Sequence, residues 1–164
     1  MVQKREKWVL ARYLIDAKKS VDSIIFISDN YASLQHTDIH EKVSDKRSNF
    51  YIKSCVVLDK SFPKQKKKIC KENPEIQQLY YERDKNSAHK DDDYKDKKYT
   101  TFDELITDLK EQLEQVKKVC KDSLPQNITL DYVSHDRELF RCLWQDKSTY
   151  NCNAKVHNLA ISVE

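Results

Sequence analysis

The 164-residue chain contains no glycine. A backbone that closes on a phosphate needs a residue without a Cβ, so a Walker loop and a dinucleotide fingerprint are both excluded. Asn-Gly hairpin turns and glycine helix stops go with them, which favours helices joined by polar loops over many short strands. The five cysteines, Cys55, Cys70, Cys120, Cys142 and Cys152, are odd in number and form no C-x-x-C pair. Neither a complete disulfide framework nor a zinc ribbon is expected from them; free thiols in a reducing, cytoplasmic setting fit better. The longest strongly apolar run, Ile24 to Ile27, is far below the roughly 18 residues needed to cross a bilayer, so no membrane partner is expected. The first 19 residues are positively charged but lack both a continuous apolar stretch and a small-residue cleavage site, which argues against a secretory signal.

What remains is 38% hydrophobic and 35% charged, polar but sufficient for one core. Thirty basic against 27 acidic side chains leave a net charge of +3, too small to mark a nucleic-acid binder without local clustering.

Apolar residues at three- and four-residue steps (Trp8, Ala11, Leu14, Ile15, Val21, Ile24, Ile25) predict a long amphipathic helix over about residues 4–33. A less regular helix follows from about residue 38 to Phe62, where Pro63 stops it. The lysines at 64, 66, 67 and 68 then form a connector to Asn73-Pro74-Glu75, a helix start with Asn73 as cap and Pro74 in the first turn. That helix turns Ile76, Leu79 and Tyr80 inward and ends near the acidic run 91–93. The clearest stripe (Phe102, Leu105, Ile106, Leu109, Leu113, Val116) begins at a Thr101/Glu104 capping box and predicts a helix to about Asp122, closed by Pro125. Beyond it Ile128, Leu130 and Tyr132 alternate, as do Leu159, Ile161 and Val163, so this tail is open between short strands and a further helix. The expected organisation is a mainly α bundle over residues 1–125 with a C-terminal extension over 126–164.

One constellation stands out chemically. In Tyr81-Glu82-Arg83-Asp84-Lys85-Asn86-Ser87-Ala88-His89-Lys90, an Arg precedes a His by six positions at a helix end. With five His and six Arg in the chain, spacings of this kind arise by chance about 0.5 times, so the context matters more than the spacing. Arg offers a fixed, permanently charged fork for phosphate oxygens, and an imidazole near pKa 6.5 can give or take a proton at cellular pH. On an ideal helix residues six apart differ by about 120° around the axis and about 9 Å along it, so one Arg83 and one His89 share a face only imperfectly.

The segment Arg83-Asp84-Lys85-Asn86-Ser87-Ala88-His89 resembles the R-x(4-6)-H motif of HEPN-domain proteins, including the Asn, Asp or His that commonly follows the Arg. By helix order the resemblance extends over residues 4–122, but only this segment is specific. It implies a four- or five-helix bundle and a metal-independent endoribonuclease without cofactor, in which His89 is the acid/base, Arg83 the phosphate clamp and Asp84 the residue that orients one of them. It also implies a homodimer whose two-fold axis joins two half-sites. The reaction would be attack of a ribose 2′-hydroxyl on its own phosphate, leaving a 2′,3′-cyclic phosphate and a 5′-hydroxyl on single-stranded or loop RNA. Such an enzyme would serve as a toxin or anti-phage effector, held by an antitoxin or regulatory protein. The family Tyr two places after the His is Asp91 here, which does not fit silencing by modification at that position.

Around the motif, Lys64, Lys66, Lys67, Lys68, Lys85 and Lys90 are candidates for RNA phosphate contacts, and Tyr94, with Tyr80, Tyr81 and Tyr99, for base stacking. The same residues also fit plainer roles: Tyr80 as core, the lysines as a solvated connector, and Arg83 and His89 in local ion pairs with Glu82, Asp84 or Asp91. His36 and His40, at i and i+4, have no evident third ligand for a metal. The alternative function is a non-catalytic helical module that binds a protein or nucleotide.

Overall fold

A computed structural model of the chain describes residues 4–31, 39–85 and 99–133. Five α-helices account for most of them: α1 (Lys4–Asn30), α2 (Ile39–Ser61), α3 (Lys66–Glu72), α4 (Pro74–Lys85) and α5 (Phe102–Val119), with a 3-10 turn at Lys121–Ser123. The chain is thus mainly α, and no strand occurs among the described residues. None of their helices is long and apolar enough to cross a membrane.

The four longer helices close a ring in which α1 packs on α2, α2 on α4, α4 on α5 and α5 back on α1, while α3 rests on α4. Inside it lies a single apolar cluster built from Leu10, Leu14, Val21 and Ile24 of α1, Phe50, Val57 and Leu58 of α2, Ile76 and Leu79 of α4, and Leu109, Leu113 and Val116 of α5. Burial of such side chains, at about 25 cal/mol per Å² of apolar surface, is what holds helices of this length together. The pairing of α1 with α2 is antiparallel: Asn49 Nδ2 donates to Ser20 Oγ at 2.7 Å, and one turn on Lys53 reaches Asp16 at 3.9 Å.

Helix α5 starts as its sequence predicts, with one refinement. Thr101 Oγ1 accepts from the Glu104 amide at 3.2 Å, while the Glu104 carboxylate turns back to Thr100, accepting from its amide at 2.9 Å and its hydroxyl at 2.8 Å. These bonds, the Thr100 amide foremost, hold the Glu104 carboxyl below its ordinary pKa. Thr101→Ala removes an acceptor from the first turn and is expected to destabilise the fold by about 1 kcal/mol, measurable by urea unfolding.

Three expectations are corrected. The lysine connector is not a loop: residues 66–72 form α3, since nothing there breaks a helix and the buried Ile69 gives the turn a core contact. Lys64, just before it, takes a φ of 65°, the left-handed turn that glycine would ordinarily occupy. Trp8 and Ile15 are not core residues but are 57% and 36% exposed, because they lie across the helix from the line through Leu10, Leu14, Ala17 and Val21. Residues 128–133 form no strand; Ile128, Leu130 and Tyr132 nonetheless alternate inward as their spacing suggests, packing on the core while the residues between face out. The Val133 amide donates to the buried Asp22 at 3.0 Å, and Lys18 pairs with the same carboxylate at 2.9 Å. The rest of the extension, including residues 159–163, lies outside the described residues.

Candidate active site at the end of the fourth helix

Two helical faces meet at the last turn of α4. Tyr80 and Arg83 are three positions apart and share the side that looks towards α2, where Asp59 stands one turn beyond Cys55. Tyr80 is 3% exposed, and its hydroxyl donates to Asp59 Oδ1 at 2.8 Å. The other oxygen of that carboxylate takes Arg83 Nη1 at 3.1 Å. On its second edge the guanidinium forks onto Asp84 Oδ1, with Nε at 2.9 Å and Nη2 at 2.8 Å, while the face of the group lies 5.0 Å from the centre of the Tyr80 ring. Arg83 is therefore held in one orientation by two carboxylates and an aromatic ring.

From α3, Lys66 completes the cluster, with Nζ 3.4 Å from Asp84 Oδ2 and 4.3 Å from the Tyr80 ring centre. Two cations and two anions make the cluster formally neutral, although Arg83 and Lys85 place positive charge at the helix C-terminus, where the macrodipole favours it. Beneath it the Cys55 thiol, pushed up to about 12 by burial, donates to the Leu79 carbonyl at 3.7 Å and is an inert core group.

Partial burial pulls the Arg83 pKa down, but the Asp84 hydrogen bond and neighbouring charges leave it raised. For Asp84 partial burial works towards a higher pKa, yet the hydrogen bond and charge of Arg83, followed by Lys66, hold the carboxyl below its ordinary value. A folded-state value below the unfolded one means that Asp84 contributes stability above the usual carboxylate range, and that the contribution drains as pH falls through the depressed value. Asp84→Asn is accordingly expected to destabilise slightly at pH 7, by less than about 1 kcal/mol for so exposed a pair, and to match the parent near pH 2 in paired denaturant titrations.

Of the residues singled out from the sequence, the structure brings together Arg83, Asp84 and Lys66. Lys64, Lys67 and Lys68 are exposed on or beside α3, and Lys85 is exposed at the end of α4. His89, Lys90 and Tyr94 lie outside the described residues, as does His36. Tyr80 and Tyr99 are not available for stacking: Tyr80 is buried, and Tyr99 is half-covered, with its hydroxyl donating to Asp108 and Arg47 5.2 Å from its ring centre. Tyr81 is exposed and accepts a hydrogen bond from Gln77 at 2.8 Å.

A second polar group was missed by motif reasoning. Glu82, next to the motif Arg but turned about 100° round the helix, is 4% exposed and accepts from Gln78 at 3.1 Å. It faces the region where Arg47 and Tyr51 of α2 approach Asp108 and Gln112 of α5; Gln112 donates to Asp108 at 2.9 Å. The Tyr51 hydroxyl is pushed up to about 12 by burial, against the opposing pull of Arg47 beside it. The sequence did contain a signal for this group: Arg47/Tyr51, Gln78/Glu82 and Asp108/Gln112 are three polar pairs at i, i+4 beside the apolar stripes of three different helices. Such pairs cross-link helices through their interior and confer a preferred packing rather than exposed chemistry.

Scans against protein-family models, curated proteins and solved structures return no match, so the chemistry of the site rests on the residues of this chain alone.

Proposed function

We propose that the chain is a metal-independent endoribonuclease of the HEPN type, acting on single-stranded or loop RNA as a homodimer in a toxin or anti-phage role. The observation that supports this reading is the fixed presentation of Arg83 by Asp84 at the end of α4, at 2.8 and 2.9 Å, just before the segment that carries His89. On this reading Asp84 orients the guanidinium, one of the two roles that the resemblance offers it. In the proposed reaction His89 moves the protons between the 2′-hydroxyl and the leaving 5′-oxygen, and Arg83 balances the charge that builds on phosphorus. Lys66, Lys67 and Lys68 of α3 supply non-specific phosphate contacts beside it. Incubation with total RNA and excess chelator is expected to yield fragments ending in 2′,3′-cyclic phosphate; RNA that stays intact at every protein concentration overturns the proposal.

A specific observation favours a second reading. Both edges of the Arg83 fork are already occupied by carboxylates, and the cluster tying α2, α3 and α4 together is neutral. A phosphate must replace Asp59 or Asp84, or approach over the uncovered part of the guanidinium. On the second reading the cluster is a strut within a non-catalytic helical interaction module, and Arg83→Ala changes stability without any RNA product to lose.

A further inference from the structure

We propose that the outer face of α1 is a holding surface for single-stranded RNA, with Trp8 as the stacking platform; the choice of RNA over other nucleic acid rests on the ribonuclease reading above. Arg5, Trp8, Arg12, Ile15 and Lys19 are all exposed, and Trp8 is the most exposed of the large apolar side chains described, at 57%. At 100° per residue these five fall within a sector of about 80°, and at 1.5 Å per residue they span about 21 Å along the helix. Cation, aromatic, cation, aliphatic and cation therefore follow one another along a single line, on the side away from the core. At the N-terminal end of the line Arg5, Glu6, Val9 and Leu10 border a groove of about 360 Å³ with Lys60 of α2 on its far side.

Charge complementarity selects the occupant. A second copy of this chain, placed on the stripe by a two-fold axis, sets Arg12 and Arg5 against cations of the same kind. An anionic membrane needs an apolar face with cations along its borders, whereas here the cations interrupt the apolar residues on one line, and the truly apolar face of α1 is already in the core. A single strand presents alternating phosphates and base faces, which match guanidinium groups and an indole one turn apart. Stacking on an indole tolerates any base, so the surface holds RNA without choosing a sequence.

The test uses the full chain and labelled oligouridylate in fluorescence anisotropy at two salt concentrations. Trp8→Ala is expected to weaken binding about tenfold, and Arg5→Ala with Arg12→Ala to weaken it and flatten its salt dependence. Because Trp8, Arg5 and Arg12 are exposed, these variants keep the core intact. Quenching of indole emission by the oligonucleotide in a Trp144→Phe protein, where Trp8 is the sole tryptophan, gives an independent readout. Equal affinity of the parent and Trp8→Ala overturns the inference, and so does quenching by phosphatidylserine vesicles with none by RNA. Binding that needs Trp8 in a protein that cleaves nothing leaves this surface standing and removes the ribonuclease; cleavage with Trp8-independent binding does the reverse.

Discussion

His89→Ala is expected to lower RNA cleavage by about a hundredfold to ten-thousandfold, the usual contribution of a positioned acid/base, with the thermal midpoint unchanged. Arg83→Ala is expected to cost at least about a hundredfold in the same assay, because charge on the dividing phosphate loses its partner. Arg83 also bridges Asp59 and Asp84, so its removal strands two carboxylates and lowers stability modestly. Gel analysis of chelator-treated reactions, beside circular dichroism of each protein, separates lost chemistry from lost fold. Cleavage at the parent rate in His89→Ala eliminates the acid/base role. The expected homodimer is tested alongside: a particle of 19.5 kDa mass at the concentration of full activity contradicts a shared cleft.

The largest stability effect is expected at Leu109→Ala. Leu109 has no exposed surface and sits at the middle of α5, where the core cluster joins α1, α4 and α5. Truncation loses the transfer free energy of the deleted groups and leaves a cavity that rigid neighbours refill only in part, about 3 kcal/mol in all. For a chain of this size that corresponds to a fall of about 10 °C in Tm. Ile15→Ala, on the outer face of α1, is expected to stay within about 0.5 kcal/mol of the parent. A calorimetric scan of the two variants checks both values; similar losses at the two positions contradict the orientation assigned to α1.

Helix limits were legible because their causes are local. Pro63 ends α2 within two residues of its position, Pro74 opens α4, and Thr101 caps α5. The error on α1 has an equally local source: a stripe of apolar residues broad enough to include Trp8 and Ile15 does not say which sector faces inward, and burial of Leu10, Leu14 and Val21 settles it. Alternation in residues 128–132 correctly implied alternating burial, but strand formation also needs a neighbouring backbone, and the described partners there are helices.

Composition and spacing by themselves determined that the described residues would be mainly helical, where α2 ends and where α4 and α5 begin, and that Arg83 and Asp84 would stand together, since adjacent residues at a helix end have little freedom to part. Only the tertiary structure decided that Asp59, from a helix 24 positions away, shares that guanidinium, that Lys66 reaches it from α3, and that Glu82 turns inside instead. The physical reason is range: caps and breakers act within a turn of the backbone, whereas which carboxylate meets which cation is set by how whole helices cross once their apolar faces are buried.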